Sequence, residues 1–269
     1  MPRRSRASTA ALGAWSGLVL AGLYAPVAGL IAFSFNRSRY GGAWTGFTLE
    51  WYAALTRNEA ILVALRRSLG VALAATAIAV VLGTLGALGV MGLSERRRRA
   101  RGAAETLFHL PIVTPDIVQA LALALFFHAV GVAKGLTTIA IAHAGFGTAY
   151  VYVVVSSALA HYRPTWDQAA MDLGARPLAV LLRVRLPILA PSVFAAALLV
   201  FTLSFDDFLI AFFNAGVRST TLPIKVYSMI KFGVSPEVNA LFTLVFAVTA
   251  VFMVAYFVLE KGRFEPREI

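Results

Sequence analysis

The sequence predicts an all-α protein, a polytopic membrane bundle of about six transmembrane helices, and three observations carry that expectation. Hydrophobic residues make up 59% of the 269-residue chain and charged residues only 14%, against roughly 45–50% and 25% in soluble domains. The apolar content falls in blocks of roughly twenty residues, about what a helix rising ~1.5 Å per residue needs to cross ~30 Å of hydrocarbon. None of these blocks alternates apolar and polar residues over about ten positions, as barrel strands do.

The first span is expected over 12–33, after Arg3, Arg4 and Arg6. Its apolar run exceeds the ~7–15-residue core of a signal peptide, so it reads as a retained span. The loop 34–67 follows, and within it Thr48, Leu49, Glu50, Trp51, Tyr52, Leu55, Ile61, Leu62 and Leu65 predict a short amphipathic helix whose Trp and Tyr suit the membrane interface. The second span, 68–93, is free of ionisable side chains. The third, 106–130, carries Pro111, Pro115 and Asp116, and the fourth, 136–160, carries His143, Gly145 and Gly147. The fifth, 191–213, contains Asp206 and Asp207, and the sixth, 238–259, is uncharged and rich in Phe and Val. No internal repeat and no soluble block long enough for a second domain interrupts residues 1–269, so one membrane domain is expected.

Lys and Arg collect in cytoplasmic loops next to spans. With six spans both termini share one side, and that side holds fifteen of the 24 basic residues: Arg3, Arg4, Arg6, Arg96 to Arg99, Arg101, Arg163, Arg176, Arg183, Arg185, Lys261, Arg263 and Arg267. Both termini are therefore expected in the cytoplasm. The net charge of +11 then reflects topology beside anionic lipid headgroups and not nucleic-acid binding.

Catalytic equipment is missing from the sequence. It has no Gly-x-x-x-x-Gly-Lys-Ser/Thr phosphate loop and no Gly-x-Ser-x-Gly elbow, and no i, i+4 pair among His109, His128, His143 and His161 carries a catalytic Glu. With no cysteine, thiolate metal sites are excluded. No cofactor, metal or catalytic residue is expected, and any work the protein does must be powered from outside the chain.

The segment 161–187 is the most specific in the sequence. Thr165 is placed to cap a helix whose first turn carries Asp167, favourable at the positive helix end. Gln168, Ala169 and Ala170 follow, with small side chains that permit close approach of another surface. Asp172 lies near the helix end, and Gly174 breaks the helix by taking a positive φ. A second amphipathic stretch then leads through Leu186 to Pro187. Helix, turn and helix, joined to spans on both sides, form a shape able to transmit a push.

Gln168-Ala169-Ala170, three residues, Gly174, nine residues and Val184-Arg185-Leu186-Pro187 resemble the EAA loop of permease subunits of bacterial ABC importers. In that family the loop is the coupling helix that docks on an ATPase. The resemblance implies the type I ABC importer permease fold in the bacterial inner membrane, with two ATP-binding subunits, a second homologous permease subunit forming a heterodimer rather than a homodimer, and an external substrate-binding protein. Gln168 departs from the usual Glu, losing its charge while keeping its length. Asp167 or Asp172 is then the candidate to supply that charge.

Leu110 to Val118, Phe201 to Phe208, Thr221 to Met229 and Gly233 to Ala240 resemble the spermidine/putrescine permeases, most of all their second subunit. The implied cargo is a polyamine, with opines, phosphonates or amino-acid-like solutes as alternatives within the same family neighbourhood. An ionised carboxylate in a span is costly, so Asp206 or Asp207 should face a cavity, a cation or a partner. Either could pair with a polyamine in transit or accept a hydrogen bond from a helix end or the partner subunit. Asp116 is a further pathway candidate, as a gating hinge or a structural residue. His128 and His143 read as packed or interfacial residues, with proton relay the other option. Arg218, Lys225 and Lys231 make the loop 214–236, together with 34–67, a docking surface for an acidic binding protein. Two other classes, an ion-gradient-driven transporter and an intramembrane enzyme, are disfavoured by the missing inverted repeat and the missing paired catalytic groups.

Overall fold

The computed structural model describes residues 6–38, 43–93, 97–231, 233 and 235–261, with backbone alone for 6–11 and 252–261. Arg3, Arg4, Arg96, Arg263 and Arg267 of the topology signal and Val234 lie outside the described residues, as do the side chains of Arg6 and Lys261. The helices in chain order are α1 (Arg6–Phe33), α2 (Glu50–Arg57), α3 (Glu59–Met91), α4 (Arg98–Val113), α5 (Asp116–Ala129), α6 (Leu136–Ala160), α7 (Thr165–Asp172) and α8 (Pro177–Val180). A π-helical turn at Leu181–Arg185 leads into α9 (Leu186–Asp206), α10 (Leu209–Asn214), α11 (Leu222–Ile230) and α12 (Pro236–Lys261). Four stretches, Leu12–Phe33, Glu59–Met91, Leu136–Ala160 and Pro177–Asp206, are each long and apolar enough to cross a membrane. The α4–α5 pair is a fifth candidate if it counts as one bent span, and the described apolar part of α12 ends at Val251.

Two expected spans are interrupted. The span expected over 106–130 is α4 and α5 meeting at 108°. Pro115 supplies no N–H and drives Thr114 into an extended conformation, ψ 129°. The Gln119 side chain satisfies the broken turn by donating to the carbonyls of Pro111 at 2.7 Å and Thr114 at 2.9 Å. The span expected over 191–213 starts earlier and stops at Asp206. Asp207 is extended, ψ 125°, and the chain restarts as α10.

Residues Met1–Leu62 and Val226–Ile269 make one compact unit, and Val63–Lys225 another. In the first, Asn36 organises the loop after α1: its amide donates to Ala43 O at 2.8 Å, its side-chain oxygen accepts from Thr45 N–H at 3.0 Å, and Trp51 Nε1 donates to its carbonyl at 2.8 Å. The single amphipathic helix expected from Thr48 to Leu65 starts at Glu50 and is divided at Asn58. Its side chain accepts the Ile61 N–H at 3.3 Å, capping α3, and donates to Glu237 Oε1 at 2.8 Å. Ile61 and Leu65 therefore belong to α3.

In the second unit α3, α6 and α9 enclose a core of Ala79, Val151, Val155, Ala196 and Val200. The helices pack closely at Gly83 and Gly147. A Cβ on Gly83 would lie 2.6 Å from Val151 Cβ, and one on Gly147 would lie 2.7 Å from Val200 Cγ1. Small residues at such crossings bring membrane helices together without a hydrophobic driving force between them.

Candidate functional site

The segment 161–187 folds as the helix–turn–helix its sequence predicts, with one change at its start. Pro164 occupies the N-cap and no side chain caps α7, so Thr165 is the first helical residue. Gly174 has φ +85°. Its N–H donates to Met171 O at 2.8 Å, and the Ala175 N–H reaches back to Ala170 O at 3.0 Å, the paired bonds of a glycine-terminated helix. Beyond α8, the Leu186 N–H bonds to Leu181 O, five residues back, and Pro187 contributes no donor. The widened turn therefore sits where proline interrupts the ordinary ladder.

A clamp joins the two arms. Asp167 is buried, accepting from Tyr162 OH at 2.5 Å, from Arg185 Nε at 2.9 Å and from Arg185 Nη2 at 2.5 Å. The Arg185 hydrogen bonds hold the Asp167 carboxyl below the usual carboxylate range. Burial, with the Asp167 bond, pushes the Tyr162 hydroxyl up to about 12. The Arg185 guanidinium lies 5.9 Å from the Tyr162 ring centre, and Trp166 meets that ring edge-on at 5.2 Å.

With Asp167 turned inward, Gln168, Ala169, Asp172 and Pro187 are exposed, while Ala170 and Leu186 are half-buried. Around them Trp166, Met171, Leu173 and Leu178 also face outward, Leu173 at 90% exposure. Four large apolar side chains on one short segment form a surface suited to a protein partner.

The acidic pair lies at the α9–α10 break, where its members separate. Asp207 Oδ2 accepts from the Ala211 N–H at 2.8 Å and approaches His143 Nε2 at 3.0 Å. The other ring nitrogen of His143, Nδ1, lies 2.7 Å from Ser204 Oγ. His143 is 1% exposed. With the Asp207 carboxylate accepting, Nε2 carries a proton, while Nδ1 and the Ser204 hydroxyl share a second hydrogen bond. Asp207 thus opens α10 and ties it to α6, and Asn214 closes α10 by donating to Ile210 O at 2.9 Å. Asp206 is exposed, and its carboxylate has no polar partner among the described residues. Asp116, the first residue of α5, is also exposed, as is His128 in the last turn of that helix.

Sequence reasoning named Asp206, Asp207 and His143 but missed that His143 bridges Ser204 and Asp207. It also missed the Tyr162–Asp167–Arg185 clamp and the role of Gln119. One signal was available for His143: an ionisable side chain among small apolar residues inside a span requires a partner.

The family described as "Binding-protein-dependent transport system inner membrane component" matches residues 79–263. The chain belongs to this family. It is 41% identical over 249 residues to the putrescine transport system permease protein PotI of Escherichia coli (strain K12), covering 89% of this chain and 87% of that protein. It is 37% identical over 243 residues to the spermidine/putrescine transport system permease protein PotC of the same strain, covering 90% and 91%. The fold matches a chain in the crystal structure of a bacterial ABC transporter involved in the import of the acidic polysaccharide alginate, with TM-score 0.72, 14% identity and coverage of 96% and 95%. A chain of the bacterial alginate ABC transporter in complex with an alginate pentasaccharide-bound periplasmic protein matches with TM-score 0.67 and 17% identity, covering 92% and 91%. The protein is an inner-membrane permease subunit of an ABC importer. It is non-catalytic, and ATP hydrolysis falls to a separate subunit.

Proposed function

We propose that this chain forms half of a polyamine translocation pathway, with Asp206 facing the passing cation and the segment from Gln168 to Pro187 docking on the ATPase. The similarity to putrescine and spermidine/putrescine permeases over about nine-tenths of the chain carries the choice of cargo. The exposed, unneutralised Asp206 supports it, because a carboxylate inside a span favours a cationic ligand. Asp207 belongs to the pathway as the residue that shapes the break, and Asp116 lines it as a second exposed carboxylate.

In the assembled importer two ATP-binding subunits drive alternating access, a second homologous permease completes the path, and an external binding protein delivers cargo. Trp166, Ala169, Met171, Asp172 and Leu173 supply the contact with the ATPase, and the loops at 34–67 and 214–236 receive the binding protein. Both termini lie in the cytoplasm. The chain has no cysteine, so the single substitutions Ser8→Cys and Thr220→Cys report sidedness without background; labelling of the Ser8→Cys variant from outside intact cells would overturn the orientation.

The decisive assay reconstitutes the complete transporter with its binding protein and measures putrescine- and spermidine-stimulated ATP hydrolysis and uptake. Stimulation by either polyamine is expected. Stimulation only by an opine, phosphonate or amino acid would overturn the choice of cargo and leave the family membership intact.

A further inference from the structure

We infer that the groove between α3 and the start of α6 binds an anionic phospholipid of the surrounding bilayer. The groove has a volume of about 550 Å³, and its lining residues include Arg66, Arg67 and Thr137 but no carboxylate. Arg66 is exposed, Arg67 is half-buried, and neither forms an ion pair among the described residues. The polar groups lie at one end. Below them the floor consists of Gly70, Ala74 and Ile78 on α3, with Ala140 and Ile141 on α6.

This layout has the polarity of a lipid. From Arg66 to Ile78 the rise along α3 is about 18 Å at ~1.5 Å per residue, close to the ~15 Å of hydrocarbon in one leaflet. Gly70, Ala74 and Ala140 present almost no side chain, leaving a channel that an acyl chain fills and a headgroup does not. Guanidinium groups recognise phosphate oxygens through paired, charge-assisted hydrogen bonds. Thr137 stands in the first turn of α6, where the free amides and the positive end of a 25-residue helix add to the attraction for an anion. Two arginines at the edge of hydrocarbon with no ion-pair partner among the described residues are costly, and a phosphodiester headgroup offsets that cost. A zwitterionic lipid fits less well, because its ammonium would sit among the same two cations.

The test uses the complete transporter, in nanodiscs of phosphatidylcholine with or without phosphatidylglycerol, examined by native mass spectrometry after release into detergent. The wild type should retain phosphatidylglycerol in preference to phosphatidylcholine. Arg66→Gln with Arg67→Gln should lower that retention about tenfold or more, the scale set by the loss of even one charge-assisted contact. Ala74→Phe, which fills the floor and leaves the charges in place, should lower retention of both lipids. Equal retention of the two lipids by the wild type would overturn the inference. Retention unaffected by either set of changes would also overturn it. So would displacement of nothing but inorganic phosphate, which would make the groove a free-anion site, and so would loss of the second permease subunit from the arginine variant with no change in bound lipid, which would make it a subunit interface.

Discussion

The loop at 161–187 and the break at 206–209 each contain two aspartates with opposite surroundings. In the loop Asp167 is buried against Tyr162 and Arg185 while Asp172 is exposed; at the break Asp207 is held by His143 and a helix-start amide while Asp206 is exposed. In both places the inward carboxylate fixes the backbone and the outward one stays exposed. The regions differ in the range of sequence that supplies the partner. Arg185 is 18 positions from Asp167, whereas His143 is 61 from Ser204 and 64 from Asp207. The loop carries its shape with it as a unit that can move, and the break keeps its shape only while α6 and α9 stay packed.

Arg185→Ala breaks that comparison most severely, since it leaves Asp167 buried and charged. A loss of about 2–3 kcal/mol is expected, less than for a fully buried pair because the Arg185 side chain is 32% exposed. It should register as a lower melting temperature of the complex and as ATP hydrolysis uncoupled from transport. Because the Asp167 carboxyl titrates below its unfolded value of about 3.9, the stabilisation is fully present above that pH and disappears as pH falls through the depressed folded value. The Tyr162 hydroxyl works oppositely: its contribution holds below about 10 and is lost as pH rises through about 12. Thermal melts between neutral and acidic pH should therefore converge for wild type and Asp167→Asn at the acid end.

His143→Ala should cost roughly 1–3 kcal/mol by leaving Asp207 and Ser204 without their shared partner. His143→Gln should recover part of that stability, because its amide can donate to Asp207. A His143→Ala variant as stable as the wild type would show that the long-range tie does not hold the break. A smaller effect is expected from Gln168→Glu, which restores a charge on the exposed face of α7 and should strengthen ATPase coupling by a few-fold at most, in line with an exposed pair worth under about 1 kcal/mol. Asp172→Ala should weaken coupling by a similar factor, and no effect on coupling would remove Asp172 as the substitute for the missing charge.

These ranges also explain what the sequence made legible. The membrane bundle follows from composition and block length, and α6 begins and ends where its apolar block does. Gly174 was readable as a positive-φ terminator because its role is settled by neighbours within five residues. The 108° bend was half-legible: Pro115 announces a disruption, while the Gln119 side chain that stabilises so sharp a turn has no local signature. The division at Asn58 was hidden because hydrophobic periodicity continues from Leu55 to Leu65 across the cap. The early stop of α9 was the least readable. Phe208 to Phe213 is as apolar as the helix before it, and the His143 side chain that holds Asp207 at the break lies 64 positions away in sequence.

The central claim is that Asp207 shapes the break and Asp206 meets the cargo. It is tested most directly by measuring melting temperature and putrescine uptake side by side for Asp206→Asn and Asp207→Asn in the reconstituted transporter. Asp206→Asn should melt like the wild type yet raise the KM for uptake about tenfold, the scale of one lost charge-assisted contact, while Asp207→Asn should lower the melting temperature. Normal uptake by a folded Asp206→Asn variant, or an Asp207→Asn variant with unchanged stability and an elevated KM, would contradict it.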